Sequence, residues 1–97
     1  MRHLAVQVCK WIQFDVPPQH EAAFASAISE LAEASSQELG CLGYEAFRCD
    51  EGAFAVLERW RDEAAFEAHR QAAHTLSFKE LIASLSITKE THALRPL

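Results

Sequence analysis

Glycine is scarce in this chain: Gly40, Gly43 and Gly52 are the only three in 97 residues. They fall in neither a G-x-G-x-x-G nor a G-x-x-x-x-G-K pattern, which excludes the backbone cradles that hold nucleotide phosphates. Cysteine is equally sparse. Cys9, Cys41 and Cys49 cannot all pair within one chain, and no C-x-x-C spacing suggests zinc or a redox pair, so reduced, partly buried thiols are expected. Basic clusters are missing: nine lysines and arginines are scattered among 14 acids for a net charge of -5, leaving no electrostatic footprint for nucleic acid. No apolar run approaches the roughly 20 residues that span a bilayer. The segment from Met1 to Lys10 alternates and is interrupted by a charge, unlike the apolar region of a secretory signal. The expectation is a soluble, cytoplasmic protein without a membrane or nucleic-acid partner.

What the chain does have is ordinary globular content, 49% hydrophobic and 24% charged, with no repeat and no low-complexity run. Residues 1–97 are expected to form one domain, small enough that a second chain would usefully cover its surface. From Leu4 to Phe14 the even positions are apolar except Lys10, the period of a strand, and Pro17 and Pro18 stop it. A helix is predicted from Gln19 to Glu38, with Phe24, Ala27, Ile28, Leu31 and Ala32 on one stripe and Gly40 as a left-handed stop. Cys41 to Cys49 and Ala53 to Arg61 read as an antiparallel hairpin turning at Asp50, Glu51 and Gly52. Asp62 then caps a helix from Glu63 to about Ala72. The serine-to-glutamate spacing of Ser77 and Glu80 predicts a capping box starting another helix to Leu85. A last strand covers Ser86 to Leu94.

Strand, helix, strand, strand, helix, strand is the order of the ferredoxin-like β-α-β-β-α-β arrangement, a four-stranded antiparallel sheet with helices on one face. On the third strand Phe54, Val56, Glu58 and Trp60 alternate with Ala55, Leu57, Arg59 and Arg61, so both sheet faces carry apolar groups. A second sheet, most simply that of an identical subunit, is expected on the face without helices.

The chemistry concentrates between Glu58 and Phe78. Glu58 and Trp60 share a face at a strand's end, where pockets open. They read either as a pocket wall or as a core tryptophan beside a glutamate paired with an arginine such as Arg70. A glutamate left unpaired in a partly apolar cleft has a raised pKa and can act as a base. His69 and His74 stand about 140° apart on a continuous helix and converge only if that helix breaks. They lack the i, i+4 spacing of a helical zinc pair, and no third ligand stands out, so no metal is expected.

The run Gly40-Cys-Leu-Gly-Tyr44, then Leu57-Glu58-Arg-Trp60-Arg-Asp62-Glu-Ala-Ala-Phe66, then His69 and His74 before Phe78, resembles the antibiotic biosynthesis monooxygenase superfamily, including the quinol monooxygenases. The resemblance implies an α+β fold in which two ferredoxin-like sheets form a dimeric barrel. It also implies a homodimer that uses neither metal nor flavin, whose partners are a small aromatic substrate and O2. His69, Glu58 and His74 become the catalytic candidates, and Trp60, Phe66, Phe78 and Tyr44 the substrate-binding ones. The haem-degrading branch uses an asparagine, and this chain has none, so haem is not expected. Some polyketide-oxidising members carry polar groups where Val56 and Phe66 stand here. The implied function is therefore a cofactor-free monooxygenase of a quinol-like or polycyclic aromatic molecule. The alternatives on the same fold are a non-catalytic small-molecule binding protein and an isomerase of a small oxygenated metabolite.

Overall fold

A computed structural model describes residues 6–50 and 52–97. Strand β1 (Val8–Asp15) leads through a 3-10 turn (Pro18–His20) into helix α1 (Glu21–Ser36). The hairpin β2 (Cys41–Arg48) and β3 (Ala53–Trp60) follows, then α2 (Glu63–Gln71), α3 (Ala73–Ser84) and β4 (Thr88–Leu94). The strands form one antiparallel sheet in the order β2-β3-β1-β4, the ferredoxin-like arrangement. Leu4 and Ala5, where the first strand was expected to begin, and Glu51 of the hairpin turn lie outside the described residues. Among those described, no helix is long and apolar enough to cross a membrane.

Alternation decides which side chains meet. Phe14, Phe54, Val56, Glu58 and Trp60 point inward beneath the helices and are all buried. Phe24 of α1 is fully buried among Phe14, Phe54 and Phe78, with ring centroids 5.1, 4.8 and 5.7 Å away, which clamps both long helices to the sheet. The opposite face carries Trp11 and Phe47, whose rings lie 6.0 Å apart, beside Leu57. Phe47 is 41% exposed. No described helix packs there.

Several boundaries differ from expectation: β1 starts at Val8 and α1 at Glu21, β2, β3 and α2 each end one residue early, and three further differences shape the site. Helix α1 ends at Ser36, not Glu38, because the chain tightens into a turn in which the Cys41 amide donates to the Glu38 carbonyl at 3.1 Å. That releases Glu38 from the helix. Helix α3 begins at Ala73, and Ser77 lies inside it, so Ser77 and Glu80 do not form a capping box. The Thr75 and Leu76 amides both donate to the Ala72 carbonyl at 3.0 Å, and this earlier start aligns buried Thr75, Phe78 and Ile82 on one stripe. Strand β4 starts at Thr88 rather than Ser86. Ser86 sits at φ 55° and closes α3, with the Ile87 amide returning to the Ile82 carbonyl at 3.0 Å.

Candidate active site

Strand β3 supplies the first half of the site. Glu58 and Trp60 share its inner face, and Tyr44 lies opposite Glu58 on β2. The Trp60 indole N–H donates to Glu58 Oε1 at 2.9 Å, and Arg70 bonds instead to Glu67 at 3.2 Å. The Glu58 carboxyl is therefore not neutralised by Arg70. At 2% exposure its pKa is raised by burial, an effect only partly offset by the Trp60 bond and the charges of His69, Lys10 and Lys89. Burial, with the nearby Glu58 and Glu38 charges, likewise pushes the Tyr44 hydroxyl above the ordinary tyrosine value, which keeps it a hydrogen-bond donor.

The second half arrives on α2 and α3. Asp62 caps α2 by accepting from the Ala65 amide at 2.8 Å, and His69 in its last turn stacks on Trp60 at 4.5 Å and 30°. Ala72, in an extended conformation (φ -65°, ψ 144°), breaks the helix between the two histidines. The break turns His74 back towards His69, and both rings meet one atom: Glu38 Oε2 lies 2.7 Å from His69 Nδ1 and 2.8 Å from His74 Nε2. An ionised Glu38 can only accept, so both facing nitrogens then carry protons. Neutral His69 in that tautomer keeps a free lone pair on Nε2, 4.0 Å from Glu58 Oε1.

Glu38 was not among the sequence candidates. Nothing local marks it, since it sits 31 and 36 residues before its histidine partners in an irregular turn. It also supplies the third ligand that did not stand out in the sequence: Glu38, His69 and His74 bring three donor atoms within 4.8 Å of one another. These three are the residues that could hold a divalent metal. A cation there would have to displace both hydrogen bonds to the carboxylate.

A cavity of about 320 Å³ lies between the sheet and the helices, at the small end of ligand sites. Glu58, His69, Tyr44, Phe66 and Phe78 all line it, as does Thr75, whose hydroxyl is 3.3 Å from His69 Nδ1. Trp60, expected as a wall, does not: it is fully buried behind His69 and positions that ring and Glu58. His74 does not line the cavity either. It opens on a separate groove beside Leu31, Phe78 and Leu81, and its contact with the site runs through Glu38. A wider groove of about 750 Å³ along Val8, Lys10, Ala64 and Pro96 gathers neither imidazole nor aromatic rings.

Comparison with known proteins identifies the family and the fold. The family model described as antibiotic biosynthesis monooxygenase matches residues 8–81. The protein YcnE of Bacillus subtilis (strain 168), which carries a provisional monooxygenase name, is 35% identical over 75 residues, covering 71% of this chain and 79% of YcnE. Among solved structures, PA3566 from Pseudomonas aeruginosa superposes with a TM-score of 0.89 at 26% identity, covering 99% of each chain. Rv0793 from Mycobacterium tuberculosis shares the fold at a TM-score of 0.85 and 24% identity, over 94% of this chain and 95% of its own. With three quarters of its length matched by the family model and its fold shared by these structures, the chain belongs to the antibiotic biosynthesis monooxygenase family.

Proposed function

We propose that this protein is a cofactor-free monooxygenase of a quinol-like or polycyclic aromatic compound, with His69 as the base. The observation that carries the reading is the position of His69 Nε2, 4.0 Å from Oε1 of buried Glu58 at the wall of a cavity that Phe14, Phe66 and Phe78 also line. A phenolic oxygen placed between Nε2 and Glu58 could reach both, since the 4.0 Å gap accepts an atom at ordinary hydrogen-bond distance from each. His69 takes the phenolic proton. The imidazolium that forms is stabilised through Nδ1–H by Glu38, which His74 holds from its other side. Glu58 in its protonated form, or the Tyr44 hydroxyl, donates to the oxygen that gains charge.

The substrate is its own reductant in this scheme. The electron-rich ring reduces O2, a C–O bond forms at a ring carbon, and the O–O bond then breaks. One oxygen atom stays on the oxidised product and the other leaves as water. Replacing the imidazole in His69→Ala should lower the chemical step about 100-fold, the scale of a lost general base. Oxygen uptake with a panel of dihydroxynaphthalenes and anthrones reads it, and equal rates in wild type and variant would exclude the role.

A second reading, a binding protein without catalysis, is favoured by one feature: Val56 and Phe66 are apolar where some polyketide-oxidising members carry polar groups. Ligand binding reported by tryptophan fluorescence, with no oxygen uptake from any compound of the panel, would select it. The first reading also includes one domain over residues 1–97 and a cytoplasmic homodimer. What supports the dimer is the apolar sheet face of Trp11, Phe47 and Leu57, which no described helix covers.

A further inference from the structure

The chain has only three lysines, Lys10, Lys79 and Lys89, and all three line the 320 Å³ cavity. Arg70 joins them, so four cations from four different elements face a single carboxyl, Glu58, in a chain whose net charge is -5. Such a concentration against the overall balance creates a local positive field. Two of the cations are already engaged. Arg70 pairs with Glu67, and Lys10 sits over the Phe66 ring at 5.1 Å and opposite Glu58 in the β1–β3 ladder. Lys79 and Lys89 are not: among the described residues no carboxylate lies within ion-pair distance of either. Lys79 also acts on Lys89. Lys89 stands on an exposed strand with its side chain partly desolvated at the cavity, and its pKa is lowered first by that desolvation and then by the charge of Lys79, a repulsion that an anion between them would relieve.

Beside Tyr44, His69, Thr75 and Thr91, the cavity has an apolar lining that includes Ile12, Leu31, Phe78 and Ile82. A small inorganic anion would leave that surface unfilled, and a neutral aromatic would leave the two ammonium groups unmet. We infer that the molecule bound here is an acidic aromatic, its carboxylate seated on Lys79 and Lys89 and its rings against Phe78 and Ile82. The inference rests on the reading of this cavity as the substrate site and narrows that substrate's class. It also fixes an orientation, because a carboxylate avoids Glu58 and its binding at the lysines turns the opposite edge of the ring towards His69.

A matched pair of probes tests it: a dihydroxynaphthalene and the corresponding dihydroxynaphthoate, whose binding is measured by anaerobic equilibrium dialysis. The naphthoate should bind at least about tenfold more tightly at low salt, an advantage that shrinks as salt is added. Lys79→Met and Lys89→Met retain the apolar stems. Together they should abolish the preference, bringing the affinity for the naphthoate to within about twofold of that for the diol measured on the same variant. Equal affinity for the two probes, or a preference that survives both substitutions, overturns the inference. Oxygen uptake measured in parallel separates the two claims. Uptake of the diol without preference for the acid rejects the lysine seat and keeps the oxygenase reading. Tight, lysine-dependent binding of the acid without uptake does the reverse.

Discussion

Single buried groups carry the sharpest expectations. Because the folded-state pKa of Glu58 is raised, its stabilising contribution is fully present below the unfolded value near 4.3 and is lost as pH rises through the folded value. Glu58→Gln keeps an acceptor for the Trp60 N–H and does not ionise. Its stability relative to wild type should therefore improve as pH rises above the unfolded value of about 4.3, read as the gap between urea midpoints; a gap that narrows or stays constant would contradict the burial argument. Ser35 is the converse case: its fully buried hydroxyl has no hydrogen-bond partner among the described residues. Ser35→Ala should raise stability by about 1 kcal/mol by removing an unpaired polar group and improving helix propensity, checked by chemical denaturation. Side-chain chemistry of this kind was only half legible in the sequence. Glu58, Trp60 and His69 stood out because two short-range periods put them on adjoining ends. Glu38 did not, since its place depends on where α1 stops and on partners 31 and 36 residues away.

Elements were read best where a backbone rule acts locally. The proline stop, the Asp62 cap and the hairpin turn at Gly52 each rest on one or two residues, and each stands where expected. The α2–α3 junction was misplaced because Ser77 and Glu80 carry a capping pattern. The packing of Thr75, Phe78 and Ile82 outweighs that local preference. Gly40 shows how tightly elements can be coupled. At φ 84° it occupies the left-handed region, and a Cβ there would lie 2.6 Å from the Ala65 Cβ in the first turn of α2. Gly40→Ala should cost about 1 kcal/mol for the backbone alone and more for the overlap, so a loss well under that in thermal or urea denaturation would contradict the contact.

For the whole molecule, both sheet faces present apolar side chains, yet the helices serve one of them. Light scattering at low micromolar concentration should return about twice the 10.9 kDa chain mass, and Leu57→Glu should halve it by placing a charge on the shared face. A monomeric mass for the wild-type protein would reject the pairing. The sheet order carries a consequence for synthesis. Strand β1 lies between β3 and β4, yet it is made before the other described strands, and the partner for its second flank is made after them. The β2–β3 hairpin can close on its own as it emerges, but β1 must wait with open amides until Thr88–Leu94 has left the ribosome. In that interval the nascent chain offers a ready strand edge to any extended peptide nearby, and a pause in translation before β4 lengthens the exposure.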